Sequence, residues 1–231
     1  MIYAYLIATI LIFLVVQKIL NSIQSPLANP LLVSILFFIG LFSFTPLNYQ
    51  DYALANQPFI WLLEPAVVAL AIPLFYQVSQ IKKQFRAIII SCSVGVVMAI
   101  STCLFVALLL TDDRILLLSL VPKSVTSPIA MAVANEIGGL ASLSAAVVIA
   151  VGLLGALAGF SLLKLCKITN PHAQGLAIGC SAHAIGTGKA MEVGNKQGAF
   201  SSLALVISGI LTAILAPLFA WLISIFTIYN Y

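Results

Sequence analysis

Long apolar runs alternate with short polar punctuation along almost the whole chain. The runs at 19–50, 87–111, 137–163 and 197–231 contain no charged residue. Each is long enough to cross a hydrocarbon core, which takes about 20 apolar residues as a helix. A membrane β-barrel would instead show segments of about ten residues with alternating polarity. These runs are continuous and rich in Leu, Ile and Ala, so they predict helices. Spans are expected near 3–17, 31–47, 59–78, 87–110, 141–163 and 198–227. The polar links between them are 21–29, 48–58, the basic stretch SQIKKQFR at 79–86, and TDDR at 111–114. Asn29-Pro30 reads as a helix start, with a cap side chain and Pro at the first helical position. The N-terminal run lacks a basic flank and a small-residue cleavage site, and reads as a first membrane helix and not as a cleaved signal.

Two segments break the pattern. Residues 115–139 hold a short apolar run interrupted by Pro122-Lys123, restarting after Ser127-Pro128 and ending at Gly138-Gly139. Residues 171–196 are studded with glycine and carry Ser181, His183, Thr187, Lys189 and Glu192. Neither reads as a plain helix. Lys/Arg bias places Lys18, the 82–86 loop and Lys164/Lys167 on the cytoplasmic side, with Asp51 and Asp112-Asp113 outside. The charges fit only if both broken segments return to the side from which they entered. The expected fold is therefore an all-α polytopic membrane protein. It has six to eight membrane segments, two of them broken or re-entrant, within one integral membrane domain, 1–231. PAVVALA at 65–71 and PIAMAVA at 128–134 share a pattern, leaving open an inverted repeat of 1–111 on 114–231.

Composition agrees with this reading. Only 7% of the 231 residues are charged and 62% are hydrophobic. The net charge of +4 is scattered over span ends. It is a topology signal, with no polybasic run for nucleic acid. Tyrosines and tryptophans near span ends read as interfacial anchors. The four cysteines have no metal or redox spacing and read as small buried hydrophobes. Gly155/Gly159 and Gly175/Gly179 read as close-packing faces.

Candidate chemistry sits in the two breaks. Ser127 is suited to cap a half-helix beginning at Pro128, whose unpaired amides and dipole would face the break. With Lys123, Ser124 and Thr126 beside it, this end suits a small anion, a carboxylate above all. An ordinary kink with Lys123 snorkelling to the interface is the alternative. Ser181, His183, Thr187 and Lys189 are the expected facing set. His183 is suited to proton coupling or, alternatively, to one interhelical hydrogen bond. Glu136 and Glu192 read as partners of the lysines or as helix caps, and Glu64, before Pro65, as a cap or coupling residue. A single intramembrane His supports neither a zinc site nor a catalytic triad, and no nucleotide motif is present. The reading is of a non-enzyme without metal or cofactor.

The stretches NPLLV (29–33), PAVVALAIPL (65–74), PKSVTSPIAM (122–131), GLAIGCSAHAIGTGKAMEV (175–193) and GAFSSLALVISGILTAILAP (198–217) resemble the LrgB/CidB family. They occur in the family's order over nearly the whole chain. The resemblance implies a multi-pass protein of the bacterial plasma membrane. It also implies one of two roles. The first is transport of a 2-hydroxy- or 2-oxo-monocarboxylate, of the glycolate or glycerate type as in plastidal relatives or of the pyruvate type as in some bacterial systems. The second is antiholin-like control of murein hydrolases and autolysis with a small LrgA/CidA-type partner. The anion site favours transport by alternating access; proton coupling and a homo-oligomer stay open.

Overall fold

A computed structural model describes residues 2–20, 30–69, 71–76 and 78–228, apart from the side chains of residues 2, 3, 227 and 228 and some from 60 to 80. Among the described residues every regular element is helical. The helices are α1 (Ile2–Leu20), α2 (Pro30–Phe44), α3 (Tyr49–Ala55), α4 (Gln57–Ala69), α5 (Ala71–Tyr76), α6 (Val78–Leu108), α7 (Arg114–Leu120), α8 (Ser127–Ile137), α9 (Ala141–Leu165), α10 (Pro171–Val193) and α11 (Asn195–Ile228). Three of these, α6, α9 and α11, contain windows long and apolar enough to cross a membrane.

The helices sort into two compact units, residues 1–70 and 71–231. That division falls far from the 111/114 boundary suggested by the chain's internal similarity, because α6 packs with α7, α10 and α11. In the first unit an aromatic cluster joins α1, α2 and α3. Tyr52 lies 5.1 Å from Phe38 and 5.0 Å from Phe42, ring centre to ring centre, and Thr9 donates to its hydroxyl. These tyrosines bind their neighbours as well as marking span ends. The link at 48–58 is largely helical: the Asn48 side chain accepts the Gln50 amide and starts α3. Asn29 lies outside the described residues, and α2 is described from Pro30 onward.

In the second unit the basic stretch 79–86 is not a loop but the opening turns of α6. Lys82, Lys83 and Arg86 are good helix formers, and nothing in the stretch breaks the helix. Segment 115–139 forms a hairpin. α7 runs in, the chain turns through 121–126, and α8 runs back to a left-handed Gly138. The base is closed at Ser119. Its hydroxyl donates to the Ile115 carbonyl (2.7 Å) and accepts the Leu140 amide (2.8 Å). Gly139 lies so close to the Ser119 backbone that a Cβ there would stand 2.8 Å from its nitrogen.

α10 is a second hairpin, and its tip is His183, whose φ of 40° and ψ of −134° interrupt the helix. A Cβ on Gly186 would stand 3.0 Å from the Ile178 side chain. In a straight helix, residues eight apart are about 12 Å apart along the axis, so the chain must reverse between them. The base closes where Gln197 donates to Gln174 (3.2 Å), 23 residues earlier. Both broken segments thus return to where they began, as the charge pattern requires.

Glycines set the packing of the second hairpin. Gly155 and Gly159 on α9 admit Ala182 and Ile178, while Gly175 and Gly179 meet α11 at Phe200 and Ser201. Gly179→Leu is expected to destabilise the purified protein by about 1–3 kcal/mol, since any side chain would strike the Ser201 backbone. Gly188→Ala, with nothing within 4 Å of the new carbon, should be neutral or stabilise by up to about 1 kcal/mol through helix propensity. Thermal unfolding in detergent compares the two.

Candidate functional site

The two hairpins open toward opposite ends of α9. The first is closed beside Leu140, at the start of α9; the second leaves its far end, where Gln174 donates to the Ile168 carbonyl. Their tips converge on one stretch of that helix. Val125 and Ala130 of the first hairpin pack with Val148 in a small buried cluster. From the second, His183 Nε2–H donates to the Val148 carbonyl at 2.8 Å. A carbonyl can only accept, so this nitrogen carries the proton. His183 is 2% exposed. Its ring lies against Gly152, where an added Cβ would stand 2.6 Å from Cε1.

The backbone of His183 matters as much as its ring. Its φ and ψ lie near the first central position of a type II′ turn, which glycine normally fills. A side chain there costs about 1–3 kcal/mol unless its surroundings hold it. The bond to Val148 is such a hold.

Lys123 sits at the other tip, half-buried. Its Nζ donates to Ser124 Oγ at 3.0 Å. It lies within electrostatic range of His183 and of Cys103 on α6. Among the described residues it has no acidic partner; the one ion pair there is Lys189–Glu192. Around Lys123 the amides of Ser124, Thr126, Ser127 and Ile129 have no backbone partner. Thr126, not Ser127, is the N-cap of α8, its side chain making no cap bond, and Pro128 occupies the second helical position. The hydroxyls of Thr126 and Ser127 are thus not engaged in capping. The arrangement offers a half-buried cation, several amides without backbone partners and one histidine.

Other expected site residues lie elsewhere. Lys189 pairs with Glu192 at 2.8 Å on the surface, side chains 44% and 70% exposed. Thr187 is buried, but it shares a 2.8 Å hydrogen bond with Ser201 on α11. Ser181 is exposed and donates to its own helix at the Ala177 carbonyl (2.8 Å). Glu136 is exposed and makes no ion pair with Lys123. Glu64 lies inside α4, which runs through Pro65, so it is not at a helix start; its side chain falls outside the described residues. Of the eight residues expected around a ligand, Lys123, Ser124, Thr126, Ser127 and His183 come together, while Ser181, Thr187 and Lys189 face away.

The sequence reading missed the contribution of α9, whose Val148 carbonyl and bare Gly152 receive both tips. It missed the polar lining of α11 as well, where Ser201, Ser202, Ser208 and Thr212 are all buried. Ser208 Oγ donates to Cys180 Sγ at 3.2 Å. Serines every few residues within an apolar helix were the available signal.

The profile of the LrgB-like family matches residues 9–222. An uncharacterized protein of Haemophilus influenzae is 34% identical over 216 residues, covering 94% of each chain. The uncharacterized protein YwbG of Bacillus subtilis is 36% identical over 209 residues, covering 90% of this chain and 93% of its own. YxaC of the same organism, also uncharacterized, is 32% identical over 217 residues and covers 94% of each. No solved structure matches.

Removing the His183 side chain separates backbone strain from ring chemistry. His183→Gly should unfold within a few degrees of the parent, because relief of strain offsets the lost bond. His183→Val, a β-branched residue at positive φ, should lower the midpoint clearly further. Thermal unfolding of the two variants side by side is the check.

Proposed function

Because the chain belongs to the LrgB-like family of membrane proteins, we propose that its two hairpins form the substrate site of a small-monocarboxylate carrier. The observation that carries the proposal is the unpaired Lys123. A charged side chain at the centre of a spanning helix costs about 2.5–3.5 kcal/mol on insertion scales. Such a group is retained where it meets a counter-charge or lines a polar cavity. Among the described residues no carboxylate pairs with it, so an anionic substrate supplies the missing charge.

The surroundings favour a small carboxylate. Free amides at the start of α8 suit its oxygens, and Lys123 gives a point charge with rotatable donors. The hydroxyls of Ser124, Thr126 and Ser127 can bond a second oxygen on C2, the feature shared by 2-hydroxy and 2-oxo acids. His183 closes the site from the other hairpin. Two tips meeting from opposite ends of one helix also suit alternating access, since either hairpin can withdraw without the other. By the positive-inside rule the second hairpin opens to the cytoplasm and the first to the outside. A role for a small membrane partner or a second copy, and any effect on autolysis, would follow from this flux.

The test is uptake of labelled glycolate, glycerate and pyruvate into proteoliposomes holding the purified chain, with and without a small LrgA/CidA-type protein. Uptake should be saturable and should fall at least about tenfold in Lys123→Met, on the order of one lost charge-assisted contact. Lys189→Ala should change uptake less than about twofold, because an exposed ion pair contributes little. If no carboxylate moves in either preparation, the carrier reading fails. Should Lys123→Met alter autolysis in cells whose carboxylate uptake is unchanged, the antiholin-like role takes its place.

A further inference from the structure

The bond between His183 and Val148 fixes more than the position of a ring. Since Nε2 donates to a carbonyl, the neutral ring must leave Nδ1 without a proton, as a pure acceptor. Nδ1 has no hydrogen-bond partner among the described residues, and it is not one of the fully enclosed side-chain atoms left without a partner there, which are Ser34 Oγ and Asn56 Oδ1. The Nε2–Cε1 edge lies against α9 at Val148 and Gly152. A free acceptor that is not fully enclosed is open to a donor from a ligand.

We propose that His183 Nδ1 is the specificity-determining group of the site, reading whether the C2 oxygen of a monocarboxylate is a donor or an acceptor. This rests on the carrier reading above. With the ring neutral, a 2-hydroxy acid donates its hydroxyl proton to Nδ1 and no solvent proton is needed. A 2-oxo acid has only lone pairs at C2, which face the lone pair of Nδ1. It binds well only when Nδ1 has taken one proton from solution and become a donor. Entry of a 2-oxo acid by this route therefore carries one proton, and entry of a 2-hydroxy acid carries none. Lys123 would hold the carboxylate of both, so it sets affinity for anions and not the choice between them.

The groups that could titrate beside this ring are few. Lys123 of the first hairpin lies within electrostatic range of it, and Cys103 of α6 within range of Lys123. On α9 the contacts are Val148 and Gly152. On α11, Ser201 bonds Thr187 and Ser208 bonds Cys180. Cys180, with Cys92 beside it, is the other ionisable group on this side. No carboxylate of the described residues is among them; His183 is the group whose ordinary pKa lies near neutrality, and loss of the pH dependence in His183→Gly separates it from Lys123 and Cys180.

Lactate and pyruvate make the matched pair, since they differ only in the oxidation state of C2; propionate, bare at C2, is the reference. Each competes with labelled glycolate for uptake into proteoliposomes of the full chain, using both lactate enantiomers, at about pH 6 and about pH 8. All three are ionised at both values. One lactate enantiomer should compete at least about tenfold better than pyruvate at the higher pH, the scale of one hydrogen bond made by one acid and not by the other. The ratio should shift toward pyruvate by up to about tenfold per pH unit as the ring gains its proton. His183→Gly, which suits the backbone, should flatten both the preference and its pH dependence.

Pyruvate equal to or better than lactate at the higher pH would overturn the assignment. So would a preference that ignores pH, or one that survives in His183→Gly. Should that variant not fold, the pH series on the unaltered chain decides alone. These results differ from failure of the carrier reading itself, in which none of the acids competes and glycolate is not taken up.

Discussion

Every reversal of a chain at membrane depth has to answer for the backbone groups it releases, since hydrocarbon offers them no partner. Here two reversals are placed against the same helix, and α9 receives them both. The Val148 carbonyl belongs to the ladder of α9, yet it has a second lone pair, and that lone pair takes the His183 proton. Gly152, one turn on, has no side chain to hold the ring away. The contact depends on these two properties of one helical turn. The rest of the second unit is arranged so that α10 can reach it: Gly155 and Gly159 bring α9 close on one side, and Gly175 and Gly179 bring α11 close on the other.

α11 contributes differently. Its buried hydroxyls act as interhelical fastenings: Ser201 to Thr187 on the returning arm of the hairpin, Ser208 to Cys180 on the outgoing arm. One helix therefore grips both arms, while α9 holds the tip. Such hydrogen bonds contribute only about 0.6 kcal/mol on average within membranes, so they select an arrangement more than they supply its stability. The first hairpin has fewer fastenings. Ser119 closes its base, and its tip rests on the apolar contact of Val125 and Ala130 with Val148. Charge and free amides gather at this less fastened tip, where a ligand meets less competition from protein groups.

The sequence made the architecture readable because its signals are local. Pro122 and Pro128 cannot continue a helix undisturbed, Gly138 takes a conformation that suits glycine, and the charge pattern demands two returns. Glycine spacing on α9 and α10 marked the packing faces correctly. Exact register was not local. The cap of α8 is Thr126 and not Ser127, because the path of the hairpin decides which residue turns first. The second break lies in a segment studded with glycine, but it falls on His183. A side-chain bond to another helix there outweighs the backbone preference of a histidine, and nothing nearby in the sequence announces that bond. Ser181, Thr187 and Lys189 share one polar stretch with His183, and reversal at the tip turns them toward three different surroundings. Lys82, Lys83 and Arg86 read as a loop because charge was taken to end a span, whereas the helix simply continues past the edge of its apolar stretch.

The pin at the base of the first hairpin bears on how the protein comes to be built. Ser119 and the Leu140 amide that it accepts are 21 residues apart, and the Val148 contact lies later still. The first hairpin is thus made before the wall it leans on, and it cannot close until α9 has begun to leave the ribosome. The second is made afterward and meets an α9 already present. Biosynthesis accordingly requires the first break to wait, with Lys123 exposed to whatever surrounds the half-made chain. The two hairpins, alike in the finished molecule, are opposites in order of assembly.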